Sequence, residues 1–399
     1  MSQRLFLVWA VCLIFPARTP AQNFGKFLEK TGKDLLRKQF APETIESVIE
    51  PHAGSAEIHT VRTADGWNLV AHRYRPRTRK RHAVPIILCH GLAYNALFWD
   101  LDPSCSLAND LADKGFDVWA VSLRGSGLSQ KWVWKLENTS ATIVGGAIRR
   151  ITGGRIAPTG YATIDPKFAN WTLDDHIRYD VPAFVYLVRQ KTGAQQVAWV
   201  GHSMGGIVAL AHLTRYRNPG IGKLVTVGSQ MTIPRGQLVG QFAGEMLNER
   251  QLQLVRKQPA QATRKTLHDM FFNQNHVKAE VYEALRTWAK DVPSVGVLRQ
   301  YASLAKVGEL RSADNSFSYA RNLKNVVVPI LISCGAADQF APPSVQRYLY
   351  DHVGSRDKSL VVFGRAQGFR VDAGHNDAIV GLTSRQQFYP VLEQWLRQH

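Results

Sequence analysis

The stretch Val197-Ala198-Trp199-Val200-Gly201-His202-Ser203-Met204-Gly205-Gly206 decides how this chain folds. Residues 197–200 form a short apolar run of the kind that makes a buried strand, and small residues from Gly205 onward open a helical pattern. A G-x-S-x-G pentapeptide alone is a modest signal; flanked by a strand and a helix it becomes a specific one. The requirement is steric. Ser203 must occupy a tight turn that lifts its hydroxyl clear of the backbone, and its close neighbours must be glycine because a Cβ would collide. The helix that follows points its positive end at the place where oxygen charge would develop.

Outward from this turn the chain alternates strands and helices. Strands are expected at 57–62 and 67–74, joined at Asp65-Gly66, a hairpin signal, and then at 84–89, 117–122, 197–200, 224–227, 328–333 and 359–363. Helices are expected at 106–114, 174–190, 205–216 and 385–397. Such alternation predicts an α/β fold with a mostly parallel central sheet flanked by helices. Two stretches break the rhythm. Residues 131–170 are rich in Gly and Thr without a clear period, an excursion long enough to suggest a substrate-facing role. Residues 229–322 carry helical patterns, among them 277–290, and no convincing strand, so they read as a helical cap. The expected organisation is a leader at 1–21, a core of 22–228 with 323–399, and the cap at 229–322.

A serine hydroxyl is a poor nucleophile until a base takes its proton, and that base needs an acid to orient it. In chain order after Ser203, Asp338 follows the strand ending at Cys334, and His375 follows the strand at 359–363 in Ala373-Gly374-His375-Asn376-Asp377. Both fall at the carboxyl edge of the sheet, where open α/β sheets place their ligands. Asp377 and Asp372 are rival acids. The oxyanion needs backbone N–H donors: Met204, directly after the nucleophile, gives one, and Leu92, in His90-Gly91-Leu92, gives the other. His90 then braces that turn and is not the base.

On these residues the chain resembles the α/β-hydrolases, and within them the acid lipase group of gastric and lysosomal enzymes. The likeness runs from about Thr60 to Gln387. It takes in Thr63-Ala64-Asp65-Gly66-Trp67, His90-Gly91-Leu92, and 111–119 with its Lys114-Gly115-Phe116-Asp117 turn. It continues through Asp180-Val181-Pro182-Ala183-Phe184, Val328-Pro329-Ile330 and His375-Asn376-Asp377. The resemblance implies the α/β-hydrolase fold and hydrolysis of lipid esters under a helical cap, by a Ser203/Asp338/His375 triad through an acyl-enzyme. Acyl transfer, thioester hydrolysis or carbon–carbon cleavage on the same triad, and a non-catalytic lipid-binding protein of the same fold, remain as alternatives.

Composition bounds the rest. With 45% hydrophobic and 20% charged residues the chain is a folded globular protein and not a disordered one. Residues 1–21 join a positive start to an 11-residue apolar run (5–15), too short to span ~30 Å of hydrocarbon, and match a secretory leader, hence a secreted or periplasmic protein. Its removal takes Arg4 and Arg18 and no acid, so a net charge of +18 becomes +16. Cys89, Cys105 and Cys334 would remain, an odd count that permits one disulfide at most, and Cys89 and Cys334, which close apolar runs, read as core residues; no Cys/His cluster has zinc spacing, and no metal or cofactor is expected. The partner is a small-molecule or lipid ester. A basic amphipathic pattern at 23–40 reads first as a helix packed on the body, and the run Arg73, Arg75, Arg77, Arg79, Lys80 and Arg81 as a solvated loop; contact with an anionic membrane surface is the alternative for both. No nucleic-acid module accompanies them, and nucleic acid is not expected. Asn138 and Asn170 stand in glycosylation acceptor sequences.

Overall fold

The computed structural model describes residues 56–130, 134–137, 161–164, 170–217, 220–233, 271–273, 276–291 and 293–399. The leader at 1–21, the amphipathic pattern at 23–40, Asn138 and the centre of the expected cap lie outside the described residues. The chain divides into two units, Met1–Ile45 with Val133–Asp165, and Glu46–Trp132 with Pro166–His399. Of the first, the described residues are two antiparallel strands, β5 (Trp134–Glu137) and β6 (Tyr161–Ile164), in register from Trp134 opposite Ile164 to Glu137 opposite Tyr161. Four-residue strands inside a Gly- and Thr-rich excursion leave too short an alternation to read from sequence.

The second unit is built on an eight-stranded sheet in the order β1-β2-β4-β3-β7-β8-β9-β10. The strands are β1 (Ala56–Arg62), β2 (Asn68–Tyr74), β3 (Ile86–Cys89), β4 (Val118–Ser122), β7 (Val197–His202), β8 (Ile221–Val227), β9 (Ile330–Gly335) and β10 (Lys358–Phe363). The pairings β1–β2 and β2–β4 are antiparallel; all those from β4 to β10 are parallel. The unbroken apolar runs follow from this: β3, β4, β7 and β9 are buried along their whole length, because helices cover both faces of a parallel sheet. The helices are α1 (Leu107–Asp113), α2 (Val181–Thr192), α3 (Met204–Arg215), α4 (Ala279–Thr287), α5 (Val295–Val307), α6 (Pro343–His352) and α7 (Ser384–Gln398).

The single helix expected over 174–190 is three pieces. A helical turn at Leu173–Asp175 leads into a wide π turn, His176–Asp180, before α2 begins. Pro182 is the physical reason: it has no N–H to donate and its ring displaces the carbonyl one turn back. The basic run is exposed from Arg75 onward, and only Arg73 is buried. Arg73 lies on β2 and pairs with Asp117 at 2.6 Å, Arg75 with Glu57 at 2.5 Å, and Arg77 with Asp113 at 2.5 Å. Arg79, Lys80 and Arg81 are exposed beyond them. Cys89, Cys105 and Cys334 are buried, unbridged thiols.

Between β8 and β9 the described residues hold α4, α5 and a short 3-10 turn, Ala320–Asn325, and no strand of the main sheet. The carboxyl ends of β3, β4, β7, β8 and β9, and the loop after β10, converge at one edge. Every candidate site residue lies there.

Candidate active site

Ser203 sits between β7 and α3 with φ 49° and ψ −117°, a backbone conformation that non-glycine residues rarely adopt. A Cβ at Gly201 would stand 2.3 Å from Gly206 N, and one at Gly205 2.2 Å from Cys89 O, so the glycines of the pentapeptide are required by close approach. The turn is held from both sides. Ser203 N–H donates to Val227 O at 2.8 Å, Ser229 Oγ–H donates to Ser203 O at 2.9 Å, and Trp199 Nε1–H donates to Gly205 O at 2.9 Å.

The other two residues meet across 37 positions of sequence. His375 Nδ1–H donates to Asp338 Oδ2 at 2.9 Å, and both side chains are buried. Asp338 Oδ1 accepts from Phe340 N–H at 2.9 Å and Ala341 N–H at 2.8 Å, which fixes the carboxylate plane. The imidazole packs on Gly228, where a Cβ would lie 3.0 Å from His375 Cε1. Ser203 and the imidazole are therefore seated on consecutive residues of one strand end, Val227 and Gly228. Among the described residues no hydrogen bond joins Ser203 Oγ to His375 Nε2; in hydrolases without substrate this contact is often long and tightens in the complex. Phe340 and Phe271 wall the ring at centroid distances of 5.1 and 5.7 Å.

The turn after β3 lies against the nucleophile: a Cβ at Gly91 would stand 3.2 Å from Ser203 Cβ. Neither Leu92 N–H nor Met204 N–H donates to a described acceptor, and both residues line one cleft with Ala93, Tyr94, Trp171 and Val297. His90 braces this turn as expected. Its Nδ1–H donates to Gly91 O at 2.8 Å and its Nε2 accepts from Leu123 N–H at 3.1 Å. Burial pushes its pKa down to about 4, so it stays neutral and keeps that tautomer.

Of the rival acids, Asp372 accepts from Arg365 N–H at 2.8 Å, and Asp377 is bonded to a different histidine, His276, at 2.7 Å. Three further groups had no signal in the sequence. His202 Nε2–H donates to His375 O at 3.1 Å; burial, then the neighbouring His375, holds its pKa well below the ordinary value. Tyr94 Oη accepts from Asn376 Nδ2–H at 3.0 Å. Behind the oxyanion turn, buried Arg124 joins Asp180 at 2.7 Å and Asp65 at 2.8 Å, and His176 joins Asp180 at 2.7 Å. Burial alone would raise the Asp180 pKa, but the Arg124 charge and the His176 bond outweigh it and hold the carboxyl below its usual range. Apart from His176 and Asp180, which are one helical turn apart, these partners lie tens of residues or more from each other, so no local motif reveals them.

The family model of the alpha/beta hydrolase fold matches residues 84–381. Among curated proteins, the chain is 34% identical to Lipase 3 of Drosophila melanogaster over 166 residues, covering 41% of this chain and 36% of that one. It is 28% identical to human lysosomal acid lipase/cholesteryl ester hydrolase over 220 residues, covering 52% of this chain and 46% of that one. The matched region is thus under half the length of these relatives. Among solved structures, a thermophilic esterase from Thermogutta terrifontis superposes with a TM-score of 0.55 at 17% identity, over 86% of this chain and 99% of that one. A putative lipase from Acinetobacter baumannii superposes with a TM-score of 0.55 at 14% identity, over 90% of this chain and 98% of that one. At these identities the two structures speak for the fold alone.

Proposed function

The chain belongs to the α/β-hydrolase fold family, and on that premise we propose that it is an exported serine hydrolase of carboxylic, lipid-like esters. The observation that carries this is the His375–Asp338 bond, which commits Nδ1 to the carboxylate and leaves Nε2 as the proton-accepting edge beside the strained Ser203 turn. Ser203 Oγ attacks the ester carbonyl and gives its proton to His375 Nε2. Negative charge gathers on the carbonyl oxygen, where the unengaged N–H groups of Leu92 and Met204 receive it. The tetrahedral species collapses to the acyl-enzyme, and the leaving alkoxide takes the proton from Nε2. Water, deprotonated by the same imidazole, then releases the acid and restores Ser203.

The apolar lining by Leu92, Ala93, Tyr94, Trp171 and Val297 favours an acyl chain, as do the names of the lipases to which the chain is similar. The stretch 229–322 is assigned as the helical cap, and residues 1–21 as a leader lost on export. The N-terminal sequence of the exported protein, expected near residue 22, checks the latter.

The decisive measurement is turnover of p-nitrophenyl esters from short to long chains and of an emulsified triglyceride. Ser203→Ala should lower kcat on the order of 10⁴–10⁶ and abolish labelling by a fluorophosphonate. Unchanged turnover in the Ser203→Ala protein would overturn the assignment; faster transfer to an added alcohol than to water would redirect it to an acyltransferase.

A further inference from the structure

The described stretch 271–273 and 276–291, between β8 and β9, is fastened to two loops of the candidate site. At one end it grips the histidine loop. Asn376 N–H donates to Phe271 O at 2.9 Å, and Asn273 N–H to Asp377 Oδ1 at 3.1 Å. His276 Nδ1–H donates to Asp377 Oδ2 at 2.7 Å, and Leu382 N–H donates to His276 O at 2.8 Å. The same Asp377 carboxylate accepts from the N–H of Gly374, directly before His375, at 2.9 Å. At the other end it grips the oxyanion turn. Asp291 N–H donates to Ala93 O at 2.8 Å, and Tyr94 pairs with Lys290 in an antiparallel bridge. Asp291 Oδ2 accepts from Asn95 Nδ2–H at 2.9 Å and from Gly127 N–H at 2.7 Å.

Ala93, next to the donor Leu92, has φ 63°, a left-handed conformation that a non-glycine residue keeps only when its surroundings impose it. Asp291 and Lys290 are that imposition. The two ends are joined through α4, a rigid rod rising about 1.5 Å per residue. Asn376 Nδ2–H, donating to Tyr94 Oη, closes the circuit from the histidine loop back to the oxyanion turn.

We propose that residues 271–273 and 276–291 are a positioning strap, which sets the Leu92 N–H and the His375 imidazole relative to each other. His276 with Asp377, and Asp291, are the positioning residues at its two ends. None of the three is a catalytic residue. The inference rests on the hydrolytic reading, and it adds that the two halves of the machinery are aligned by one element and not separately. A displacement of about 1 Å in a catalytic group can cost on the order of 10²-fold in rate, so a slack strap is read in kcat.

The test is a double-mutant cycle on the full-length protein with Asp291→Ala and His276→Ala, scored by kcat and KM on a soluble ester and by the fluorophosphonate labelling rate of Ser203. Each single change should lower kcat and labelling roughly 10- to 100-fold with KM within about threefold. The double variant should be no more than about threefold worse than the worse single, because releasing either end releases the same alignment. Asp291→Asn, which keeps an acceptor, should recover part of the loss. Losses that multiply in the double variant, a KM effect without a kcat effect, or no loss, would each overturn the strap. Should either alanine variant fail to fold, Asp291→Asn with His276→Gln completes the cycle, with non-multiplying losses supporting the strap and multiplying losses overturning it. If the wild-type protein labels at Ser203 but hydrolyses no ester, the hydrolytic reading fails, while the labelling arm still decides the strap.

Discussion

Two imidazole–carboxylate pairs stand on the same loop and differ in one atom's company. In both, a histidine Nδ1 donates to a buried aspartate, at 2.9 Å for His375–Asp338 and 2.7 Å for His276–Asp377. His276 Nε2 is tied to Thr383 Oγ1 at 2.9 Å, so both of its nitrogens are spent on holding the chain. His375 Nε2 has no described hydrogen-bond partner and lies on the side of the ring away from Asp338. The lesson is that a buried His–Asp pair does not by itself mark a catalytic base. The proposed base is the one of the two whose second nitrogen is left unspent.

The comparison breaks most visibly if the base is removed from each pair in turn. His375→Ala should lower kcat on a soluble ester by about 10⁴ or more, against the 10- to 100-fold expected for His276→Ala. Equal losses in steady-state turnover would mean that the two pairs share one role, and that the distinction drawn from Nε2 is empty. A sharper form exchanges only the carboxylates. Asp338→Asn leaves the shape intact but favours the wrong imidazole tautomer, and should lower kcat about 10³- to 10⁴-fold. Asp377→Asn should fall within about 100-fold, with its main effect on the denaturation midpoint, since it weakens a buried fastening and not a proton path.

How far this was legible in advance depends on whether the information is local. Gly201 and Gly205 announce the turn because the closest contacts they permit are made within a few residues or against β3 and the turn after it, and the strand-to-helix switch is written in the same ten positions. The meeting of Asp338 with His375 was legible through their positions after β9 and β10, since a parallel sheet gathers such loops at one edge. The choice among Asp338, Asp372 and Asp377 depends on side-chain direction, and Asp377, two residues from His375, turns to His276 instead. Nothing in the segment around His276 or Asp291 marks them, because their partners lie roughly a hundred and two hundred residues away. The π turn at His176–Asp180 was invisible to a periodicity of 3.6, although Pro182 was its cause in plain sight.

A third histidine has no such carboxylate beside it. His72, on β2, is buried, and its Nδ1 has no hydrogen-bond partner. Burial without an anion depresses its pKa from 6.5 to about 4. The unfolded chain therefore takes up this proton more readily than the folded one. The native state has its full margin above pH 6.5, loses it as pH falls from there, and has lost all of it once pH passes below about 4. At 1.36 kcal/mol per unit, this one site removes at most about 3 kcal/mol across that window. His72→Leu should flatten the slope of unfolding free energy against pH between 6.5 and 4, measured by urea denaturation, while leaving ester turnover at pH 8 within about twofold. Identical slopes for the variant and the wild type would mean that the unpaired imidazole is not what acid attacks, and that acid acts through His90, His202 and His212, whose pKa values burial also depresses.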